Sequence, residues 1–401
     1  MPIQRMRVKM NNTYIYGFKR TAIGAFRGTL SKFPATELGS IVIKSLLKEN
    51  NINVEKIEEV IMGNVLSANL GQAPARQAAL GASLPNSVKC MTINKVCGSG
   101  LKSVMLADDS IRLGKSNLCI GGGMENMSLA PFYLEKSRFG IGFGHDKIID
   151  SILKDGLWDP YNKFPMGNCG EHLNNEMQYT RQAQDDFAIN SYEKSNLAIK
   201  NNSYDDEICP VTISSKKGKF NFEIDEEPLK FNRDKISMLK PAFSNNGTIT
   251  AANASSLSDG AAALLIGNDS LLKESQIQPK AKIISHASFA TEPIYFTKAP
   301  IYAIQKLLKK SKLSISDIDL FEINEAFSCV PMVALDKLNI PKEKLNVNGG
   351  AVSMGHPIGA SGSRILVTLI NALIKRKLKY GIASICIGGG EACAILIENY
   401  N

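Results

Sequence analysis

Cys97 is the residue whose surroundings most clearly fit a chemical role. It follows a β-prone run and precedes a Gly-Ser-Gly turn, in the segment MTINKVCGSGLKS over residues 91–103. The turn predicts a helix that begins directly after Cys97 and continues towards Leu113. Unpaired N–H groups and the positive end of the helix dipole favour a thiolate at that place. A Cys in an apolar run is otherwise a small core residue, so its partners decide between the two readings.

A nucleophilic thiol needs a base, and the sequence contains four histidines. His286 lies in a strand-like run, and His145 and His172 lie in a polar stretch, so local structural roles are expected for these three. His356 is different. It lies in the segment NGGAVSMGHPIGASG over residues 348–362, where five glycines predict a tightly turned backbone followed by a helix. We expect this turn to bring His356 close to a substrate.

Cys386 and Asn324 extend the set of groups that acyl transfer requires. Cys386 precedes three glycines, so a second thiol would lie beside unhindered backbone N–H groups. Asn324, at the end of an apolar run, would hold a water or polarise a carbonyl. Transfer through a thioester needs a nucleophile, an acid/base and oxyanion donors, and the two cysteines, His356 and the N–H of Gly388 supply them. A buried strand Cys and a helix-capping Asn remain the structural alternatives.

The elements that must position these residues alternate between helix and strand. Apolar residues recur at helical spacing around Leu38–Leu46 and Ile365–Leu373, and β-prone runs follow at residues 60–66 and 382–387. This alternation predicts an α/β architecture in which helices cover both faces of the sheets.

A repeated five-residue segment indicates two related halves. CIGGG occurs at residues 119–123 and again at 386–390, each after a β-prone run that we expect to end there. Two such halves would face each other across one site. Residues 126–250 are instead rich in Asn, Asp, Lys and aromatic side chains, with one clear helix at 181–200, and this predicts a large insertion between core elements.

The composition is that of an ordinary globular protein with neither a nucleic-acid nor a membrane partner. The 401 residues predict two or three domains, and no apolar run reaches the roughly 20 residues of a membrane span. The net charge of +9 comes without a basic block, which favours a phosphate-bearing small ligand over nucleic acid.

Eight scattered cysteines without a secretion signal indicate free thiols, and we expect the cytoplasm ahead of the mitochondrion. Neither GKS at 114–116 nor GIGFG at 140–144 has the context of a nucleotide-binding loop, so ATP and NAD are not expected.

These motifs together resemble one family, the thiolases, over nearly the whole chain from about residue 21 to residue 398. The resembling segments keep the family's order: RTAIG at 20–24, the segment around Cys97, GGGMEN at 121–126, TAANAS at 250–255, NEAF at 324–327, the segment around His356 and CIGGG at 386–390. Several independent matches in the right order make the resemblance specific.

The resemblance implies the thiolase fold, an α/β fold of two duplicated halves in five-layered packing with an inserted loop domain. It assigns residues 1–126 plus 256–278 to the N-terminal half, 127–255 to the inserted CoA-binding loop domain and 279–401 to the C-terminal half. Members of the family usually assemble as tetramers, so a homotetramer is expected.

The resemblance also implies a ping-pong Claisen condensation of two acetyl-CoA to acetoacetyl-CoA and CoA, and its reverse. Cys97 would take the acyl group after His356 accepts its proton. Cys386 would deprotonate the second acetyl-CoA or protonate the leaving carbanion. Asn324, through a water, would form one oxyanion hole with His356, and the N–H groups of Cys97 and Gly388 would form the other. CoA is a substrate in this scheme, and no cofactor is required.

Two sets of binding residues follow from the same resemblance. The positions that bind coenzyme A in the family correspond here to Tyr192, Lys230, Phe231, Asn232, Lys235 and Ser255, with Met166 and Phe327 at the same site. Lys230 and Lys235 would meet phosphates as point charges. A potassium ion held largely by backbone carbonyls is also implied, at Tyr192, Ala251, Ala252, Ala254 and Val352.

Two residues depart from the family pattern. Pro165 stands before Met166, where short-chain thiolases usually have His, and it resembles degradative 3-ketoacyl-CoA thiolases instead. Glu391 introduces a carboxylate beside the Cys386 turn, where it either points away or raises the pKa of the thiol. A 3-ketoacyl-CoA thiolase of broader chain preference is therefore the first alternative. A non-catalytic protein that binds acyl-CoA is the second.

Overall fold

The structure is a computed structural model that describes residues 11–216, 218–269 and 277–400. Its α-helices are α1 Ala35–Glu49, α2 Pro74–Gly81, α3 Ser99–Arg112, α4 Met166–Met177, α5 Arg181–Lys200, α6 Arg233–Ile236, α7 Ala299–Ser311, α8 Cys329–Leu338, α9 Ala351–Met354 and α10 Ile358–Arg376. Its strands are β1 Thr13–Thr21, β2 Gly24–Ala25, β3 Glu59–Gly63, β4 Lys89–Ile93, β5 Leu118–Asn126, β6 Phe132–Tyr133, β7 Ile149–Asp150, β8 Trp158–Asp159, β9 Phe164–Pro165, β10 Ile208–Cys209, β11 Val211–Ser215, β12 Gly218–Phe222, β13 Ser258–Asn268, β14 Ala281–Ala290, β15 Leu320–Ile323, β16 Tyr380–Ile387 and β17 Glu391–Asn399. A π-helix spans Ile152–Leu157.

The main sheet consists of two runs of strands with the same topology. Its strand order is β15-β16-β17-β14-β1-β13-β5-β3-β4, and β1 pairs with β14 only over residues 13–15 and 281–283. From β1 the neighbours β13, β5 and β3 pair antiparallel, antiparallel and parallel. From β14 the neighbours β17, β16 and β15 repeat this sequence of pairings. The predicted duplication is therefore present in the fold.

Alternate side chains of the strands enter different hydrophobic cores, as the two-residue period of a strand requires. In β5, Ile120 packs with α1 and α2, and its neighbour Cys119 packs with α3 and α10. In β17, Ile395 joins the core around α3 and α10, and Leu396 packs with α7 and α8. Two sheet runs thus alternate with three helix layers, and the predicted five-layered packing is confirmed.

The two CIGGG copies lie on equivalent strands but at different places along them. In β16 the Cys and Ile end the strand and the glycines form a turn, whereas in β5 all five residues lie inside the strand. The prediction that both copies end a strand is wrong for the first copy. There, the glycines permit close packing, because a Cβ at Gly121 would lie 3.0 Å from Val104 Cα and one at Gly123 would overlap the carbonyl of Gly359.

The insertion stands out when the two halves are compared. β16 and β17 are joined by a three-residue turn, but residues 127–257 separate the equivalent strands β5 and β13 and contain α4, α5 and α6. The exact domain boundaries inferred from the sequence remain predictions.

The helix α10 lies at the centre of the protein, between the two sheet runs. By length and composition alone it would qualify as a membrane span, although no apolar run of that length was expected from the sequence. Of its most apolar 18-residue window, 89% is buried inside the protein, and its side chains pack against α3 and strands of both runs. Its interior position accounts for its composition.

Candidate active site

Cys97 lies in the turn that connects the edge strand β4 to α3, directly before the N-cap residue Gly98. The side chain is partly buried, and its exposed part faces an apolar cavity. Burial raises the pKa of the Cys97 thiol to about 11, although a hydrogen bond from the Gly388 N–H lowers it. The expectation of a resting thiolate is therefore wrong. Desolvation outweighs the helix start, so the thiol needs a base during the reaction.

His356 lies between α9 and α10 and is buried, with 5% of its surface exposed. Its Nδ1 atom is 2.5 Å from Ser361 Oγ, and the Ser361 hydroxyl donates to the Pro357 carbonyl at 2.9 Å. The Ser361 hydroxyl proton is already used in that bond, so the Ser361 oxygen accepts a hydrogen bond from Nδ1–H. The Nε2 nitrogen of His356 therefore carries the lone pair. Asn324 Nδ2 lies 3.5 Å from Nε2. Burial, with a smaller contribution from Arg364, lowers the pKa of His356 to about 3, so the imidazole is neutral.

Cys386 and Asn324, the other two predicted catalytic side chains, are both buried. Burial raises the pKa of the Cys386 thiol well above its ordinary value, and negative charge on Cys97 raises it further. Asn324 follows β15, and its Oδ1 atom has no hydrogen-bond partner in the described part of the chain. It does not cap α8, whose N-cap is Ser328, so the capping interpretation is wrong. The Oδ1 atom is left available to another partner.

The three-glycine turn after β16 brings a backbone donor to the nucleophile. Gly389 and Gly390 have φ of +91° and +89°, a region that favours glycine, and Gly388 lines the same cavity as Cys97. A Cβ at Gly98 would overlap the Ile387 side chain, so the two turns are in close contact. The backbone N–H predicted to stabilise an oxyanion thus lies close to the turn that holds the nucleophile.

One cavity of 170 Å³ joins part of the predicted catalytic set to predicted substrate residues, although neither Cys386 nor Asn324 lines it. Cys97, His356 and Gly388 line it, and most of its other walls are apolar. It also contacts predicted CoA-site residues and residues of the π-helix, namely Met166, Ser255, Phe327, Leu153 and Leu157. The inserted segment therefore supplies part of the wall opposite the nucleophile.

A second cavity of 190 Å³ holds most of the remaining predicted binding residues, which are Tyr192, Lys230, Phe231, Asn232, Lys235, Ala251 and Ala252. The Tyr192 and Phe231 rings stack, with centroids 4.9 Å apart and planes at 13°. The segment TAANAS connects the cavities, since Ala252 lines the second and Ala254 the first. Val352 lines neither cavity, and its N–H donates to Glu325.

The other three histidines take structural positions outside this site. His286, on β14, lies 3.3 Å from Asp108 and 3.1 Å from Asp109. The His172 ring, on α4, packs against that of Tyr295, and His145 is exposed. The structure thus agrees with the roles expected for them.

Two residues that hold the site together had no role predicted from the sequence. Ser361 orients His356, as described above. Glu125, inside the segment GGGMEN, is buried and accepts from the N–H groups of Val65, Leu66 and Gly359. Burial raises the pKa of Glu125 to about 7. An acidic residue within an apolar, glycine-rich strand was the signal that could have identified it.

Comparison with known proteins agrees with this fold. The N-terminal thiolase domain model matches residues 13–270, and the C-terminal thiolase domain model matches residues 277–399. The chain belongs to the thiolase family.

Its relatives match along almost their entire length. An acetyl-CoA acetyltransferase of Arabidopsis thaliana is 48% identical and one of Yarrowia lipolytica is 48% identical, over 98% and 97% of this chain and of those proteins. The crystal structure of the Bacillus anthracis acetyl-CoA acetyltransferase superposes with a TM-score of 0.95 at 37% identity, covering 98% of this chain and 99% of that one. A thiolase from Ascaris suum, solved in complex with coenzyme A, gives 0.91 at 41% identity, covering 97% and 100%.

Proposed function

We propose that this thiolase is an acetyl-CoA C-acetyltransferase, which condenses two acetyl-CoA to acetoacetyl-CoA and CoA and catalyses the reverse thiolysis. The observation that carries the proposal is the meeting of Cys97, a neutral His356 and the Gly388 N–H at one apolar cavity. Relatives that bear this activity in their names are 46–48% identical over nearly the full chain, which supports the same assignment.

In the first half-reaction, Cys97 attacks the thioester carbonyl of acetyl-CoA. His356 Nε2 accepts the thiol proton as the sulfur–carbon bond forms, and the N–H groups of Cys97 and Gly388 stabilise the oxyanion. The bond to the CoA sulfur then breaks, and the proton on His356 passes to that leaving thiolate. The lowered pKa of His356 suits this role, because the base is unprotonated at neutral pH.

In the second half-reaction, Cys386 exchanges a proton with the α-carbon of the other acetyl-CoA. In the thiolysis direction the retro-Claisen step leaves a carbanion, and the Cys386 thiol protonates it. Burial keeps this thiol protonated, which is the form that an acid needs. Asn324, through a water, and His356, which at that stage carries the Cys97 proton on Nε2, donate to the enolate oxygen.

Coenzyme A fits the path between the two cavities. Lys230 and Lys235, at the second cavity, offer point charges to phosphates, and Lys230 is 58% exposed in its ion pair with Glu227. From there the segment TAANAS leads to Ser255 at the catalytic cavity, along which the pantetheine chain reaches Cys97. The Ascaris suum structure holds coenzyme A, which supports the same ligand here.

We also propose that a potassium ion binds near the second cavity. Tyr192, Ala251 and Ala252 line this cavity, and Ala254 and Val352 lie on the adjoining segments. The donor set is oxygen only, as a hard cation prefers. Burial raises the pKa of Tyr192 to about 12, with smaller contributions from Glu227 and Glu325. Equal activity in sodium and potassium buffers would count against this site.

Assembly as a tetramer is also proposed. Residues 132–148 of the insertion, named here the apolar segment, expose large hydrophobic side chains to solvent, and these are Phe132, Leu134, Phe139, Ile141, Phe143 and Ile148. So much exposed apolar surface on one segment marks a contact surface. A further copy of the chain is the partner that the resemblance to tetrameric thiolases indicates.

A 3-ketoacyl-CoA thiolase of broader chain preference is the second candidate, because Pro165 lines the catalytic cavity. A relative from Staphylococcus aureus, 44% identical, is named a probable acetyl-CoA acyltransferase. The test is thiolysis of acetoacetyl-CoA compared with longer 3-ketoacyl-CoAs. We expect the highest kcat/KM with acetoacetyl-CoA, and a strong long-chain preference would reject the first proposal in favour of the second.

A further inference from the structure

An ion pair joins the two turns that carry the reacting groups. Lys95, two residues before Cys97, and Glu391, directly after the three-glycine turn, approach to 2.6 Å between Nζ and Oε2. Their side chains are 25% and 36% exposed, so the pair is partly shielded from solvent. The carboxylate that departs from the family pattern therefore has a specific cation as its partner.

The turn that holds Cys97 is strained and is closed by its own hydrogen bonds. Val96 has φ of +46°, an unfavourable conformation for a β-branched residue. The Val96 N–H donates to Asn94, the Lys95 N–H donates to Ser99 Oγ, and the Ser99 hydroxyl donates to the Val96 carbonyl. All three bonds lie within the turn, so none of them fixes its distance from the opposite half.

The three-glycine turn is packed more tightly at Gly390 than at Gly388. The Thr291 N–H donates to the Gly390 carbonyl, and a Cβ at Gly390 would overlap neighbouring backbone. Around Gly388, by contrast, the nearest atoms to a built Cβ are 3.5 Å away at Met166 and 3.7 Å away at Val96. The N–H predicted to stabilise the oxyanion thus belongs to the more loosely packed end of this turn.

The two turns pack against each other through Ile387, which lies against Gly98, and through Gly388, which lies near Val96. Lys95–Glu391 is the only ion pair between them in the described ranges. The ion pair joins Glu391, the first residue after the glycines, to Lys95, two residues before the nucleophile. It therefore links the turn that carries the Gly388 N–H to the turn that carries the Cys97 N–H.

We propose that Lys95 and Glu391 are a positioning pair, which holds the Gly388 N–H at the correct distance from the Cys97 sulfur. The inference rests on the proposed acyl transfer, since it specifies how the oxyanion hole of that reaction is aligned. Neither Lys95 nor Glu391 lines the catalytic cavity. Their effect is therefore expected in the chemical step rather than in CoA binding, because misplaced donors cost transition-state stabilisation.

The test is a double-mutant cycle with a charge exchange. Lys95→Met and Glu391→Gln should each lower kcat by about two- to fivefold with KM for the CoA substrates and the melting temperature unchanged. The double variant should be no worse than either single one, because both remove the same interaction. The exchanged pair K95E/E391K should recover a large part of the lost kcat.

A matched control is the ion pair Lys375–Asp206, which also joins different segments, at 3.1 Å, but lies away from both turns. Lys375→Met should leave kcat at the wild-type value. Single variants of the proposed pair with wild-type kcat, or an exchanged pair no better than the singles, would overturn the inference. So would losses of kcat that follow the melting temperature. If the wild-type protein itself lacked acetyl transfer, the proposed function would fail instead, and the two failures are thus distinguishable.

Discussion

The Nδ1 atom of His356 lies 2.5 Å from the hydroxyl oxygen of Ser361, one turn further along the chain. Since this hydroxyl donates to the Pro357 carbonyl, it fixes the proton on Nδ1 and leaves Nε2 as the basic nitrogen. The same bond fixes the direction of the ring, so that Nε2 points towards Asn324 and the catalytic cavity. Ser361 is thus the residue that makes a buried imidazole usable as a base.

Ser361→Ala removes the acceptor of Nδ1–H and should lower kcat by about tenfold, the equivalent of roughly 1.4 kcal/mol for one buried hydrogen bond. KM should change little, because Ser361 is away from the CoA path. Steady-state thiolysis of acetoacetyl-CoA measures both constants. The control is Ser363→Ala, which removes a buried hydroxyl bonded only to backbone carbonyls. Equal kcat in the two variants would contradict an orienting role for Ser361.

Alkylation of Cys97 by iodoacetamide should become steadily faster with pH. A thiol of pKa about 11 beside an imidazole of pKa about 3 stays neutral at pH 7, so the thiolate fraction grows about tenfold per pH unit. Rate constants measured between about pH 6 and pH 9, with peptide mapping of the labelled residue, should show this slope. A plateau beginning near neutral pH would instead reveal a resting thiolate–imidazolium pair.

Cys386→Ser should separate the two half-reactions. Acetyl transfer from acetyl-CoA to Cys97 should persist, whereas condensation should fall by about 10²–10⁴, the usual contribution of a general acid/base. Exchange of labelled CoA into acetyl-CoA follows the first step, and acetoacetyl-CoA formation follows both. Cys393→Ser, on the adjacent strand and also buried, should retain both activities. Parallel loss of exchange and condensation in Cys386→Ser would contradict the assignment.

Phe143→Ser should weaken tetramer formation, because Phe143 is fully exposed on the apolar segment. Light scattering coupled to gel filtration should give a tetramer mass for the wild type and a smaller assembly for the variant. The melting temperature of the chain should change little, since no core contact is lost. Phe220→Ser, at a half-exposed aromatic on β12 outside the segment, should leave the mass unchanged. A wild-type monomer, or an unaffected variant, would contradict the proposed surface.

Much of the fold was predictable because strong periodicity sets local structure. The apolar spacing around residues 38–46 and 365–373 became α1 and α10, the helix expected at 181–200 is α5, and the run at 382–387 ends β16. The position of CIGGG within β5 was not predictable. It depends on how closely α3 and the start of α10 approach that strand, which is a tertiary contact.

The candidate site was likewise predictable only in part. Local sequence was enough to single out Cys97, His356, Cys386 and Asn324. Each of them lies beside a glycine-rich turn or at the end of an apolar run. Protonation was not predictable: the helix start favours a thiolate, but burial, which only the folded structure reveals, reverses the direction of the pKa shift. The partner of Glu391 was equally hidden, because the ion pair joins residues from opposite halves of the chain.

The most direct test of the central claim is mass spectrometry of the purified protein after incubation with acetyl-CoA alone. The account predicts one acetyl group per chain, on the peptide that contains Cys97, and its removal when CoA is added. Cys97→Ala should carry no such thioester. An unmodified protein, or an acetyl group on Cys386 with Cys97 free, would contradict the assignment of Cys97 as the nucleophile.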